Sequence, residues 1–436
     1  MSPRVGSTAT FGEGEESLRT KVVVTGLGTV CPLGLTVDES WAAATEGRSG
    51  IATIAAFDPD EFGIKTRIAG EVKAFDPALF MDIKEVRRLD RFCHLTLAAA
   101  AEAIADAKLT IDPSNSWDVA TIIATGVGGV TTLVDQAQVL RDGGARRVSP
   151  FTIPMLMSNA AAGVVSIRFG SQGPCFSVAS ACASSTDSIG ISLDLIRSGR
   201  AKAVIAGGVD AAVVPIAVAG FEQARALCQD SFDEPERASR PFDATRSGFV
   251  LSEGAAVLIL ESEEFAVARG ANIICELAGY GSVADSYHIT APAPDARGAI
   301  RAMTTAIADA GLTIDEIGYI NAHGTSTQLN DKMEAFAIRT VFADRRTPVP
   351  VSSTKSMTGH LGGAAGALEA VLAAKTVATG IAPPTINYRQ PDPDCDIDCI
   401  PNDARNVGTV AALSNSFGFG GHSACLAFRP WADRRE

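Results

Sequence analysis

Apolar runs that end in glycine recur along the chain and set its organisation. The first reaches from Lys21 to Gly28, the next from Ala120 to Gly129, and a third from Ala203 to Gly208, with Ala255 to Leu260 closing the series. Continuous apolar runs suit strands buried on both faces. Between them the apolar positions follow helical spacing. Asp38 is placed to cap a helix containing Trp41 and Ala44, and Lys84 to Lys108 reads as one long helix with a strongly charged start. Cys182 to Arg197 reads as another helix, through Ile189, Leu193 and Ile196. A second series begins near Ile273 with the run to Gly281, then a helix over Arg297 to Ala310 and a strand over Gly318 to Asn321. Pro350 to Ser353, a helix from Gly363 to Thr376, and Val410 to Phe428 complete it. Two successive series of strands alternating with helices predict an α/β architecture of two similar halves, residues 21–265 and 266–436, divided near Phe265. Residues 1–20, rich in Gly, Ser and Glu, read as a disordered tail. The repeat is one of pattern, with no letter-for-letter duplication.

Composition narrows the function. With 436 residues, 46% apolar and 20% charged, the chain has an ordinary globular balance. A formal charge of −13 argues against nucleic acid and membrane surfaces as partners, since both require a broad basic face. Met1 to Thr20 lacks the apolar run of a secretory signal, and Ala211 to Phe221 is too short to span a bilayer and contains Pro215. Nine cysteines without a C-x-x-C pair fit a reducing cytoplasm, and the Asp-rich surroundings of Cys395 and Cys399 contain no histidine for a zinc site.

The candidate chemistry centres on Cys182, set among small residues between a short strand at Phe176 to Val178 and the helix that follows. Helix-start N–H groups favour a thiolate, so a lowered thiol pKa is expected. His323 stands just past a strand end, in the segment Asn321 to Thr327. Lys355 and His360 share another strand-to-helix loop, and Phe417 to Gly421 forms a glycine-rich turn. Only five histidines occur in the chain, and two of them occupy equivalent loops.

Together, Ser180-Ala181-Cys182, His323 to Thr327, Lys355 to His360 and Asn415 to Gly421 resemble the β-ketoacyl-acyl-carrier-protein synthases, condensing enzymes of the thiolase-like superfamily. The 3-oxoacyl-carrier-protein synthase II group is the most similar. The resemblance implies a five-layer αβαβα fold of two related halves, working as a dimer. It implies that Cys182 accepts an acyl chain from acyl carrier protein and that neutral His323 and His360 donate to the malonyl thioester as it loses carbon dioxide. The N–H groups of Cys182 and Phe419 would form the oxyanion hole, and Phe419 would gate the acyl chain. Lys355, Asp331 and Glu334 would be supporting charges that hold the histidines and any catalytic water. Thr325 and Thr327 match positions that bond the phosphopantetheine arm, and Val127 matches the acyl-pocket wall, with a plain core valine as the equal alternative. Asn321, Glu369, Ser414 and Asn415 match a structural monovalent-cation site of some members. No cofactor is required beyond the phosphopantetheine carried by the partner. Lys84, Arg87, Arg88, Arg146, Arg147 and Arg225 match docking positions for the acidic carrier, against the alternative of an ordinary solvated helix at Lys84 to Arg91.

Several positions depart from the common fatty-acid pattern. Ser247 stands where aspartate is usual, Leu251-Ser252-Glu253-Gly254 replaces a Gly-Glu-Gly form, Cys175 replaces asparagine or serine, and Ser423 replaces asparagine. Arg240 to Arg246, with Ala255-Ala256, also resembles type II polyketide ketosynthases, which pair with a chain-length factor. A homodimer in fatty-acid elongation and a heterodimer in polyketide assembly therefore both stand as readings. A degradative thiolase would normally carry a second cysteine at His360, and a chain-length factor would lack Cys182. No G-x-G-x-x-G follows the first strand to favour a nucleotide, and a zinc site at Cys182, His323 and His360 would lack a fourth ligand.

Overall fold

The computed structural model describes residues 19–230 and 232–432, so the expected tail at 1–20 lies almost wholly outside the described residues. The first half contributes β1 (Val22–Val30), β2 (Val119–Ala124), β3 (Cys175–Phe176), β4 (Ala203–Asp210) and β5 (Gly254–Ser262), arranged β1-β5-β4-β2-β3. The second contributes β6 (Cys275–Ala284), β7 (Ile317–Asn321), β8 (Pro350–Ser352), β9 (Asp398–Cys399), β10 (Ala411–Gly418) and β11 (His422–Arg429), arranged β6-β11-β10-β7-β8-β9. Apart from the added edge strand β9, the two orders are the same topology. In both halves the first three strands of the order pair antiparallel and the rest parallel. A short contact, Val23 with Glu276 and Val24 with Cys275, joins the halves into one eleven-stranded sheet.

Five helices place the layers: α1 (Arg91–Ala107), α2 (Ser184–Arg197), α3 (Arg297–Asp309), α4 (Gln328–Val341) and α5 (Ala365–Thr379). α1 covers β1 and β5 on one outer face, and α3 covers β6 and β11 on the other. α2 and α5 lie between, each touching strands of both halves. The result is the αβαβα stack of the thiolase-like fold. Central placement explains why α5 is almost all apolar and buried on every side.

The duplication also survives in letters. Ala103 to Asp112 and Ala306 to Asp315 are identical at nine of ten positions, differing only at Lys108 and Gly311. This corrects the expectation of a repeat in pattern alone, and its cause is packing. A Cβ at Gly26 or Gly28 of β1 would strike the carbonyls of Ala103 and Ala99, and at Gly279 or Gly281 of β6 those of Ala306 and Ala302. Only glycine facing alanine permits so close a strand–helix approach. Asp106 accepts a hydrogen bond from the Leu27 N–H and Asp309 one from the Tyr280 N–H, each at 3.0 Å. Lys108 and Gly311 both take positive φ where the two helices end, at 50° and 63°.

Four predicted helices differ in their bounds or caps; the one expected over Gly363 to Thr376 runs Ala365–Thr379. Lys84 to Lys108 is two elements, a single turn over Ile83–Val86 and then α1, because Asp90 caps α1 at Phe92 and also accepts from the Thr132 N–H and hydroxyl. Thr36 rather than Asp38 caps the helix Val37–Thr45. The helix expected from Cys182 starts two residues later, at Ser184. Among the described residues no helix is long and apolar enough to cross a membrane.

Candidate active site

Cys182 follows a strained bend. Ala181 holds φ at 51°, in the left-handed region that a residue with a Cβ rarely enters. Ser184 stabilises the bend from the first turn of α2, accepting from the Ser180 N–H at 2.8 Å and donating to the Ala181 carbonyl at 2.6 Å. Gly418 backs it closely, since a Cβ there would lie 2.9 Å from the Ser180 carbonyl and 3.0 Å from the Cys182 nitrogen. The N–H groups of Phe419 and of Cys182 itself donate towards the sulfur.

The histidines come from the second half. His323 sits two residues beyond β7, and its N–H and that of Gly324 donate to Glu334 of α4 at 2.9 and 2.7 Å. Lys355 Nζ lies 3.3 Å from His323 Nδ1 and is ion-paired with Glu369 of α5. His360 is held by its backbone, donating to Val250 at 2.8 Å and accepting from Ser252 at 2.9 Å. The two imidazole rings meet edge to face at 5.3 Å and 88°. Phe249 packs on His360 and Phe417 on His323. One nitrogen of each histidine and the Cys182 sulfur all lie within 4.8 Å of one another, and no fourth His, Cys, Asp or Glu joins them among the described residues.

Burial dominates the electrostatics. It pushes the Cys182 thiol up to about 11, against the pull of Lys355 and the two N–H donors, with the Asp210 carboxylate adding to the rise. This overturns the expected lowered thiol: α2 begins two residues too late, and removing a thiolate from water costs more than its donors return. Burial, then Lys355, pushes both histidines well below their ordinary value, and His360 adds to the effect on His323, so both imidazoles are neutral at neutral pH. Burial also raises Glu334 to about 7, and raises Glu369 against the pull of Lys355.

The supporting carboxylates divide differently from the expectation. Glu334 serves His323, whereas Asp331 accepts from the Phe242 N–H at 2.9 Å and faces Arg246 at 3.7 Å. No hydrogen bond joins Lys355, Asp331 or Glu334 to His360 among the described residues. Asn321 Oδ1, Glu369 Oε2, Ser414 Oγ and Asn415 Oδ1 are buried without a hydrogen-bond partner. Asn321 and Ser414 are register partners on neighbouring strands β7 and β10. Asn321 Nδ2 is unpartnered as well, and oxygens that include a carboxylate are the donor chemistry of a hard cation.

A cavity of about 620 Å³ reaches the sulfur. Val127, His323, His360, Thr325, Thr327 and Phe419 line it, the two threonine hydroxyls 2.9 Å apart. Phe419 lines the cavity and is 38% exposed. Arg225 lines this cavity and a second, polar one of about 570 Å³ beside Lys65 and Asp230. Lys84, Arg87, Arg88, Arg146, Arg147 and Arg225 are all exposed, with the Arg88 guanidinium 4.9 Å over the Phe151 ring.

Sequence reading missed Asp210, at the end of β4. It accepts from the Thr125 hydroxyl at 2.7 Å and from the N–H groups of Gly126, Val127 and Gly363 at up to 3.3 Å, tying the Val127 wall to the turn after His360. An acidic residue closing an apolar Gly-Gly strand was the available signal.

Residues 19–266 match the model of the beta-ketoacyl synthase N-terminal domain, and residues 274–389 that of the C-terminal domain. A 3-oxoacyl-[acyl-carrier-protein] synthase 2 of Synechocystis sp. is 48% identical over 411 residues, covering 94% of this chain and 98% of that protein. The protein of the same name from Staphylococcus aureus is 44% identical over 409 residues, with the same coverage. Among solved structures, a beta-ketoacyl synthase from Burkholderia phymatum superposes with a TM-score of 0.88 at 35% identity, over 95% of this chain and all of that one. A type II polyketide ketosynthase, in complex with its acyl-carrier protein and bound to the hexaketide, gives 0.87 at 33% with the same coverage. The ishigamide ketosynthase/chain length factor gives 0.87 at 35%, again over 95% and 100%.

Proposed function

The chain belongs to the beta-ketoacyl synthase family, and from that premise we propose that it elongates acyl chains by decarboxylative Claisen condensation with malonyl-acyl-carrier-protein, in fatty-acid synthesis. The observation that carries the reading is the meeting of one thiol and two neutral imidazoles within 4.8 Å at the end of a cavity. In the first step Cys182 Sγ bonds to the acyl carbonyl, and the carrier's phosphopantetheine thiol leaves with the proton. The N–H groups of Cys182 and Phe419 stabilise the negative oxygen as it forms. In the second step the malonyl thioester loses carbon dioxide. Lys355 donates to His323 Nδ1, which leaves the proton on Nε2, free to be given to the thioester oxygen. His360 supplies the second donor. The enolate carbon then bonds to the acyl carbon, the thioester carbonyl re-forms with its proton returned to His323, and the Cys182 sulfur departs as a thiolate that takes a proton from water.

Thr325 and Thr327 line the cavity where the phosphopantetheine arm would hydrogen-bond, and Phe419 gates it. Lys84, Arg87, Arg88, Arg146, Arg147 and Arg225 offer the acidic carrier a basic landing surface on a chain of charge −13. Asn321, Glu369, Ser414 and Asn415 would hold a monovalent cation between the neighbouring strands β7 and β10, where it would screen their oxygens beside Glu334. The halves divide near Phe265. All nine cysteines are unpaired, which fits a reducing cytoplasm. The working unit is a homodimer. Ser247 favours a second reading, in which the chain pairs with a chain-length-factor homologue in polyketide assembly. Mass spectrometry after incubation with an acyl carrier protein tests the function: the adduct is expected on Cys182 and absent from Cys182→Ala, and an adduct on another cysteine overturns the assignment. Elongation by the purified single chain rules out the obligate heterodimer.

A further inference from the structure

The strained bend before Cys182 is gripped from the opposite half of the molecule. The Ser180 hydroxyl donates to one oxygen of Asp187, a buried carboxylate in the first turn of α2. The other oxygen accepts from the Tyr280 hydroxyl at 2.6 Å. Tyr280 lies on β6 and is itself anchored, its N–H donating to Asp309, which pairs with Arg197 at 2.7 Å. Its ring passes α2 at Gly190, where any Cβ would strike the ring. The equivalent place in the first half, between Gly26 and Gly28, is Leu27, so the hydroxyl is particular to the second.

We propose that Asp187 and Tyr280 are a positioning pair for the nucleophile, holding the Ser180–Ala181 bend so that Cys182 faces the cavity and its oxyanion donors. A carboxylate with one donor from each half can locate Ser180 only while both bonds are made. Losing either frees the strained Ala181 to relax and turns the sulfur away. The histidines lie on other loops and do not depend on this bend. The inference rests on Cys182 being the acyl acceptor.

Tyr280→Phe keeps the ring and removes only the donor. Capture of Cys182 by iodoacetamide, and its acylation by an acyl-carrier thioester, are expected to slow about three- to tenfold. Decarboxylation of malonyl carrier protein, read with Cys182→Ala as background, is expected to fall by a clearly smaller factor. Ser180→Ala should slow thiol capture similarly, and the double variant should be little worse than either, because both act through Asp187. Parental capture rates in Tyr280→Phe and Ser180→Ala, or equal losses in both reactions, would overturn the pair. A lowered melting temperature with unchanged capture would likewise reduce it to a structural contact. If the unaltered chain is not acylated on Cys182, the functional reading has failed instead.

Discussion

The two halves share one topology and divide the chemistry between them. Where β3 ends the first half places Cys182, and where β8 ends the second places Lys355 and His360. Beyond β2 lies the glycine-rich wall with Val127, and beyond the equivalent β7 lies His323. β4 ends on Asp210, and just past the equivalent β10 stands Phe419. The strand–helix contacts have stayed alike at nine of ten letters, Ala103 to Asp112 against Ala306 to Asp315, while the strand-end loops that carry Cys182, His323 and His360 differ. Packing between glycine and alanine tolerates no added atom, whereas a loop opening on a cavity can carry any side chain its backbone admits. Duplication thus supplied two scaffolds, and their facing ends were free to take complementary roles.

The sharpest way to break this division is to disable the histidine half alone. His323→Ala or His360→Ala should slow malonyl decarboxylation about 10²–10³-fold, the typical cost of a lost oxyanion donor, while Cys182 still acquires its acyl group. Parental decarboxylation in either variant would remove that histidine from the role. The scaffold comparison is tested by matched lesions. Gly28→Val and Gly281→Val should each cost about 1–3 kcal/mol or more in chemical denaturation, because both push a branched side chain into a helix carbonyl. A large cost in one half and none in the other would show that the repeated contacts are not equivalent.

The proposed carrier-docking residues all lie in the first half. Arg146→Glu with Arg147→Glu should raise KM for carrier-bound substrate about tenfold and leave reaction with a small uncharged thioester nearly unchanged. Equal losses with both substrates would mean the arginines support the fold. The gentlest probe is pH, because the two halves should respond differently. The Cys182 pKa is raised, so iodoacetamide capture should keep climbing past about pH 9, beyond an ordinary thiol. The histidine pKa values are lowered, so their neutral form persists into acid. With Glu334, which titrates at about 7 beside His323, replaced by Gln, decarboxylation on the Cys182→Ala background should therefore show no histidine limb from about pH 8 to about pH 6. An acid limb near the ordinary histidine value would contradict neutral donors.

The sequence by itself determined the strands, the two-part order and the motif residues, because buried parallel strands need unbroken apolar runs and their ends need glycine. It also held the duplicated decapeptide, which pattern reading passed over because the repeat lies in helix-end residues rather than in the apolar runs. Only the tertiary structure decided the rest. Cys182 and His360 stand far apart in the chain, and their meeting depends on α2 and α5 being buried between the halves. That same burial reversed the expected thiol shift: helix-start chemistry is local, but desolvation depends on everything packed around the sulfur. Asp187 and Tyr280 were illegible for a related reason, whereas Asp210 showed itself only as an acid closing an apolar strand, without its partners. A lone carboxylate or phenol in an apolar stretch gains a role only from partners on other elements, and no spacing along the chain names those partners.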